Sequence, residues 1–161
     1  MKIRIILVAL CCLMAFSAGA VRSVARDWGG IVLLVSTCED VKRIFNVTSC
    51  KAPFSTYYLK EETVVVSYAK FPCSKDGKYQ PVDDTTPAKF VTGITRNLHK
   101  PIPFSDLVDH KTRYKQVTTD FIGEIQYYND DEGVNFHTVD GMLNSISYYP
   151  SKEDRRKRCE H

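Results

Sequence analysis

The chain carries little net charge of either sign. Lys and Arg number 22 against 19 Asp and Glu, and Lys2 and Arg4 belong to a leader-like start whose removal would bring the balance to about +1. Net charge therefore gives no argument for a nucleic-acid partner, and none is expected. Metal-ligand spacing is missing as well: there is no C-x-x-C pair and no Cys/His cluster, which speaks against zinc. The signatures G-x-S-x-G, H-E-x-x-H and the phosphate-binding loop are all absent, so no familiar hydrolase, metalloprotease or nucleotide site can be assembled. No cofactor is expected. The apolar run at residues 5–16 falls short of the roughly 20 residues that a membrane-spanning helix needs.

What is present begins with an export signal. Lys2 and Arg4 precede the apolar run, and Ala18-Gly19-Ala20 forms a small-x-small cleavage site. Residues 1–20 read as a signal peptide, cut near Ala20, which predicts a secreted or periplasmic protein. Leu10 stands before Cys11 where a lipoprotein signal wants a small residue, so no stable membrane anchor is expected. The remainder, residues 27–161, has the length of a single α+β domain. Of six cysteines, Cys11 and Cys12 leave with the leader. Cys38, Cys50, Cys73 and Cys159 then suggest two disulfides, with three pairings open. The favoured pairing is Cys38–Cys50, which clips the ends of a short helix, with Cys73–Cys159, which staples the C-terminal tail to the middle of the chain.

Periodicity supplies the elements. Residues 31–35 (IVLLV) read as a buried strand, and Ser36 or Thr37 caps a helix over 38–46 whose apolar stripe is Val41, Ile44 and Phe45. Residues 56–60 and 63–71 form a hairpin around Glu61-Glu62, and 72–88 reads as a long surface loop. A strand follows at 89–96, then a rigid connector through Pro101 and Pro103, and Ser105 can cap one helical turn over 106–109. Residues 114–118 and 121–128 lead into the clearest segment, 127–150. There Val134, Phe136 and Thr138 alternate with Asn135 and His137, and Asp140-Gly141 is a hairpin turn pair. Ser151 caps a last helix, acidic first and basic last. The expected architecture is a mainly antiparallel sheet with one or two short helices packed on one face. A faint echo between Ser67-Tyr68 and Ser147-Tyr148, each followed by Pro, Ser and Lys, suggests two related helix-plus-hairpins units.

Two resemblances add to this reading. Leu33, Ser36-Thr37, Asp40-Val41 and Ile44-Phe45, followed by Tyr58-Leu59, Val64, Val66 and Tyr68, resemble the helix-and-sheet unit of SmpA/OmlA-type outer-membrane proteins, which β-lactamase inhibitor proteins carry in tandem. The unit's usual Gly after the helix is replaced by Asn46-Val47-Thr48. The chain from Trp28-Gly29-Gly30-Ile31 to Tyr148-Tyr149-Pro150-Ser151 and Arg158-Cys159 looks more like a family of uncharacterised exported bacterial proteins. Both resemblances imply the sheet-and-helix fold, and neither brings a function.

Candidate functional residues are sparse. His99 and His110 lie in loops and His161 ends the chain, which leaves His137 on the polar side of its strand. As a general base it could pair with Glu124 or Asp140, and Tyr128 or Ser145 could complete a small hydrolase site. Asp130-Asp131-Glu132 with Asp140 offers carboxylates to calcium, but the spacing matches no loop signature and a solvated turn is the simpler account. The nine tyrosines are more distinctive, with pairs at 57-58, 127-128 and 148-149. Strand neighbours point to opposite faces, so each pair gives one ring to the core and one to the open face. Tyr57, Tyr128 and Tyr149 are the candidate binding residues for a protein or glycan partner. The favoured function is a non-enzymatic, exported interaction module, with the His137 hydrolase as the alternative.

Overall fold

The structure is a computed structural model that describes residues 27–51, 53–70, 72–73, 78–79, 89–106 and 113–159. The leader, His110, His161 and most of the 72–88 loop lie outside the described residues. Strands β1 (Asp27–Trp28) and β2 (Ile31–Val32) form a small ribbon, followed by helix α1 (Cys38–Phe45). Then come β3 (Phe54–Tyr58), β4 (Glu62–Ala69) and β5 (Phe90–Pro103), and a 3-10 turn at Phe104–Asp106. Strands β6 (Lys115–Thr118), β7 (Glu124–Asn129), β8 (Val134–Val139) and β9 (Met142–Tyr148) precede helix α2 (Lys152–Cys159).

The seven longer strands make one antiparallel sheet in the order β3-β4-β5-β9-β8-β7-β6. This is an α+β fold built from two meanders, β3 to β5 and β6 to β9, that meet where β5 pairs with β9. Register sorts the side chains into two faces. Tyr57 lies opposite Val64, Val64 opposite Arg96, and Arg96 opposite Ile146. Ile146 lies opposite Phe136, and Phe136 opposite Tyr127. Because side chains alternate, every strand in this row turns the same parity inward. Val64, Val66, Tyr68, Ile94 and Leu143 are thereby buried at 2% exposure or less. From helix α1, Val41 joins this core fully buried, and the Phe45 ring stacks on Tyr57 with centroids 4.3 Å apart. Phe104 fills the other meander's share of the core against Tyr127 and Phe136, at 4.5 and 5.6 Å. The Tyr57 and Tyr68 hydroxyls satisfy each other in the interior at 3.1 Å.

Local chemistry explains the helix ends. Thr37, not Ser36, is the N-cap of α1, and its backbone N–H donates to Asp40 Oδ2 at 2.9 Å. Ser36 instead accepts a bond from the Val32 N–H on its hydroxyl, at 2.9 Å. Asn46 ends the helix in the left-handed region with φ 52°, which an asparagine tolerates. Ser151 caps α2, its hydroxyl accepting from the Asp154 N–H at 3.1 Å.

Both disulfides join the expected cysteines, Cys38 to Cys50 and Cys73 to Cys159, with Cα separations of 6.0 and 5.3 Å. Loops of 12 and 86 residues correspond to about 3 and about 4.5 kcal/mol in the chain-entropy model. Two such bonds indicate an oxidising, extracytosolic environment. Among the described residues no helix is long and apolar enough to cross a membrane.

Two expectations about the chain path are corrected. Residues 31–35 are not one strand: only Ile31–Val32 is, and Leu34 turns with φ 62°. The chain bends there because the Leu34 N–H donates to the Val91 carbonyl and the Val91 N–H to the Ser36 carbonyl, at 2.8 and 2.9 Å. Val35 is left 67% exposed. The connector at 99–103 is also strand, the far end of β5. Pairing with β9 is interrupted between Asn97 and Ile102, and that break accommodates Pro101, which has no N–H to give.

Candidate functional site

The face opposite α1 carries the polar half of the alternation. Two central rows cross it from β5 to β7. One reads Asn97, Ser145, His137, Gln126, and the next Thr95, Ser147, Asn135, Tyr128. Not one of these eight side chains is aliphatic. Several bond to each other: Thr95 to Ser147 at 3.0 Å, and the Asn135 amide to Gln126 Oε1 at 3.3 Å. Among the described residues two buried side-chain polar atoms have no partner, Thr92 Oγ1 and Asn135 Oδ1. Asn135 belongs to the second row, and Thr92 lines the cavity described next.

A cavity of about 310 Å³ opens beside these rows. Gly93 is its floor, and Ser67, Tyr79, Thr95, Ser147 and Tyr149 stand around it, with Thr92 also in the lining. Gly93 lies opposite Ser67, at the register shift where β4 passes from Ser67 to Tyr68. A glycine in the middle of a strand commonly marks such an irregularity. A Cβ there would rest in ordinary contact, 3.5 Å from Ser67 Oγ and the Tyr148 carbonyl.

Two tyrosines wall the cavity, and both are tied by their hydroxyls. Tyr79 donates to the Thr92 carbonyl at 3.0 Å and Tyr149 to the Val134 carbonyl at 3.3 Å. Tyr149 is placed by its backbone, whose N–H donates to the Gly133 carbonyl at 2.9 Å. Gly133, at φ 67°, lies so close to the Tyr149 carbonyl that no side chain would fit. Burial raises the Tyr79 phenol above its usual value. Burial, helped by the nearby Asp130 carboxylate, pushes Tyr149 up to about 12. Among the described residues the lining holds no carboxylate, imidazole, thiol or ammonium group.

Of the three candidate tyrosines, two come together. Tyr128 and Tyr149 share the outward face, near enough to act on each other electrostatically. Tyr57 faces inward, 8% exposed against Phe45. The outward ring of that pair is Tyr58, 82% exposed. It sits on edge strand β3, five strand spacings from β7, or roughly 24 Å away. The three residues therefore do not make one continuous surface.

His137 lies in the first row, and its Nε2 is 2.7 Å from Glu124 Oε1. Ser145 is its register partner on β9. None of these three lines the cavity. Asp140 lies at the far end of β8 from Asp130 and Glu132, so the four acidic residues do not converge. Asp130 pairs with Arg155, and Glu132 with Arg113 and the Tyr114 hydroxyl. His99 is not in a loop: it belongs to β5 and contacts the Thr63 hydroxyl at 3.0 Å. Sequence reasoning missed Tyr79, Thr92 and Gly93. The one available signal was the isolated glycine inside the strand KFVTGITR.

No family model matches the chain, and no curated protein matches it. Among solved structures it is similar to a DUF4309 family protein (YjgB) from Bacillus subtilis subsp. subtilis str. 168, at 15% identity, over 73% of this chain and 80% of that one, with a TM-score of 0.45. A likeness that distant carries no inference about function. It names neither of the families that the sequence resembles.

Proposed function

We propose that this chain is an exported, non-catalytic binding module that presents the outward sheet face to a protein or glycan partner. The observation that carries the reading is the face itself: two rows without an aliphatic side chain, Tyr128 among them, beside Tyr149 and a cavity with no ionisable acid or base among its described lining residues except the tyrosines. Rigid tyrosines and short hydroxyl side chains supply contact area at low entropic cost. In the same reading residues 1–20 are a leader cleaved near Ala20, residues 27–161 are one domain of two related units, and the mature protein has no membrane anchor and no nucleic-acid partner. The test uses the mature, oxidised protein as bait in cross-linking and glycan-array binding. Tyr128→Ala/Tyr149→Ala should remove most of the captured signal, while Tyr58→Ala should leave it. A signal unchanged by the double substitution would place binding elsewhere and end this reading.

One observation favours a second reading, a small hydrolase: the 2.7 Å contact between His137 and Glu124, with Ser145 across the strand. A histidine held by a carboxylate beside a serine is the arrangement of a general base and its nucleophile. No Ser145–His137 hydrogen bond accompanies it, and the neighbouring cavity excludes all three. Hydrolysis of simple esters that disappears in both Ser145→Ala and His137→Gln would establish this reading. Activity equal to the buffer rate would remove it.

A further inference from the structure

We propose that the cavity over Gly93 is a binding site for one ring of a neutral carbohydrate, held between the Tyr79 and Tyr149 side chains. This rests on the open-face reading and assigns its ligand class and place. Four features of the cavity argue for it.

The first is charge. Among the described residues every lining side chain is neutral, so an ionised phosphate or carboxylate would lose its hydration with no opposite charge in that lining to replace it. Arg155 stands 5.9 Å from the Tyr79 ring centroid and is paired with Asp130. The second is chemistry. A sugar ring has C–H faces that rest on aromatic rings and hydroxyls that bond to short polar side chains. Tyr79 and Tyr149 supply the rings, with their hydroxyls already committed to backbone carbonyls. Ser67, Thr95 and Ser147 supply the hydroxyls. Thr92, only 1% exposed, adds a hydroxyl with no partner, and such buried polar groups ordinarily have one.

The third is size. A volume of about 310 Å³ lies at the small end of ligand sites, roughly 300–1,000 Å³, which suits a single ring better than a folded partner's side-chain cluster. The fourth is position. Strand β5 is interior to the sheet, paired on one side with β4 and on the other with β9. An interior strand offers no free edge on which an extended peptide could add as a further strand. Recognition has to come from side chains and from the bare floor at Gly93.

The experiment is amide NMR on the oxidised, secreted protein, titrated with chitotriose, cellotriose and maltotriose and, as the charged control, trigalacturonic acid. At least one neutral trisaccharide should shift the Gly93, Thr95 and Ser147 amides saturably at millimolar concentration, with the acidic control about tenfold weaker or worse. Gly93→Leu, which fills the floor, should abolish the shifts, and Tyr79→Ala should weaken binding by about tenfold. Should Gly93→Leu fail to fold, Tyr79→Ala carries the test alone, since its ring is peripheral to the inward core. Equal binding of the acidic trimer, or shifts that survive both substitutions, would overturn the proposal. So would shifts confined to Asn135 and Tyr128, or a peptide that displaces the sugar from these amides, although the open-face reading would then stand. Failure of that reading looks different: neither sugar nor captured partner would depend on Tyr128 and Tyr149.

Discussion

The two faces of the sheet are made from the same strands and differ in what fixes them. On β9, Leu143, Ile146 and Tyr148 point into the core while Ser145 and Ser147 point out. The inward side is specified by volume: Val64, Val66, Ile94 and Leu143 fill space between the sheet, α1 and Phe104. The outward side is specified by what it omits, aliphatic bulk along its two central rows. A protein that needed only to fold could have placed Lys and Glu on those rows. Short neutral side chains leave the sheet accessible at close range, which is what a ligand-facing surface requires.

The largest expected contrast comes from single truncations on β9. Leu143→Ala should cost about 3 kcal/mol in urea unfolding, because a fully buried side chain leaves a cavity. If it cost no more than an outward change on the same strand, the division into faces would be wrong. A smaller effect is expected at the internal hydroxyl pair. Tyr68→Phe should cost about 1 kcal/mol by leaving the Tyr57 hydroxyl without its partner. Adding Tyr57→Phe should recover part of that loss, and additive losses would show that the pair is not coupled.

The pair also predicts an alkaline limit. Burial, then the Tyr57 hydroxyl, holds the Tyr68 phenol well above its ordinary value of 10.0, and Tyr149 is pushed up to about 12. Above the ordinary value the unfolded chain releases these protons while the folded chain keeps them. The unfolded state then binds fewer protons, so stability is complete below that pH and falls as pH rises toward 12. The urea midpoint followed against pH should show this decline, and Tyr68→Phe should make it shallower. The smallest effect is expected on the outward face: Thr95→Ala, which breaks the half-buried bond to Ser147, should change stability by about 0.5 kcal/mol. A larger loss would mean that the outward rows help hold the sheet together.

Much of the fold was legible because its signals are local. Asp140-Gly141 turns with φ of 51° and 77°, as a type I′ hairpin demands. A cap at Ser36 or Thr37, the cap at Ser151 and the two favoured disulfide pairs also followed from short-range chemistry or chain spacing; that the cap is Thr37 with Asp40 did not. What failed depended on distant partners. Nothing in IVLLV announces a turn; the chain bends at Leu34 because Val91 on β5, 57 positions on, bonds to both Leu34 and Ser36. The double tyrosines told that one ring of each pair faces inward, but not which one. At 57-58 the choice was set by the register between Tyr57 and Val64, which propagates from strand to strand and has no local signature. The cavity was the least legible feature. It joins β4, β5, β9 and Tyr79, a residue in a stretch whose sequence gives no periodicity.

The seam between β5 and β9 has one more implication. It is the strand pairing that joins the two meanders, so two copies of the chain could trade halves across it, each completing the other. The bond from Cys73, just after β4, to Cys159, in the helix after β9, ties both halves of one copy together. The sulfur link thereby acts as a guard against domain exchange, and intertwined dimers should arise first in the reduced protein.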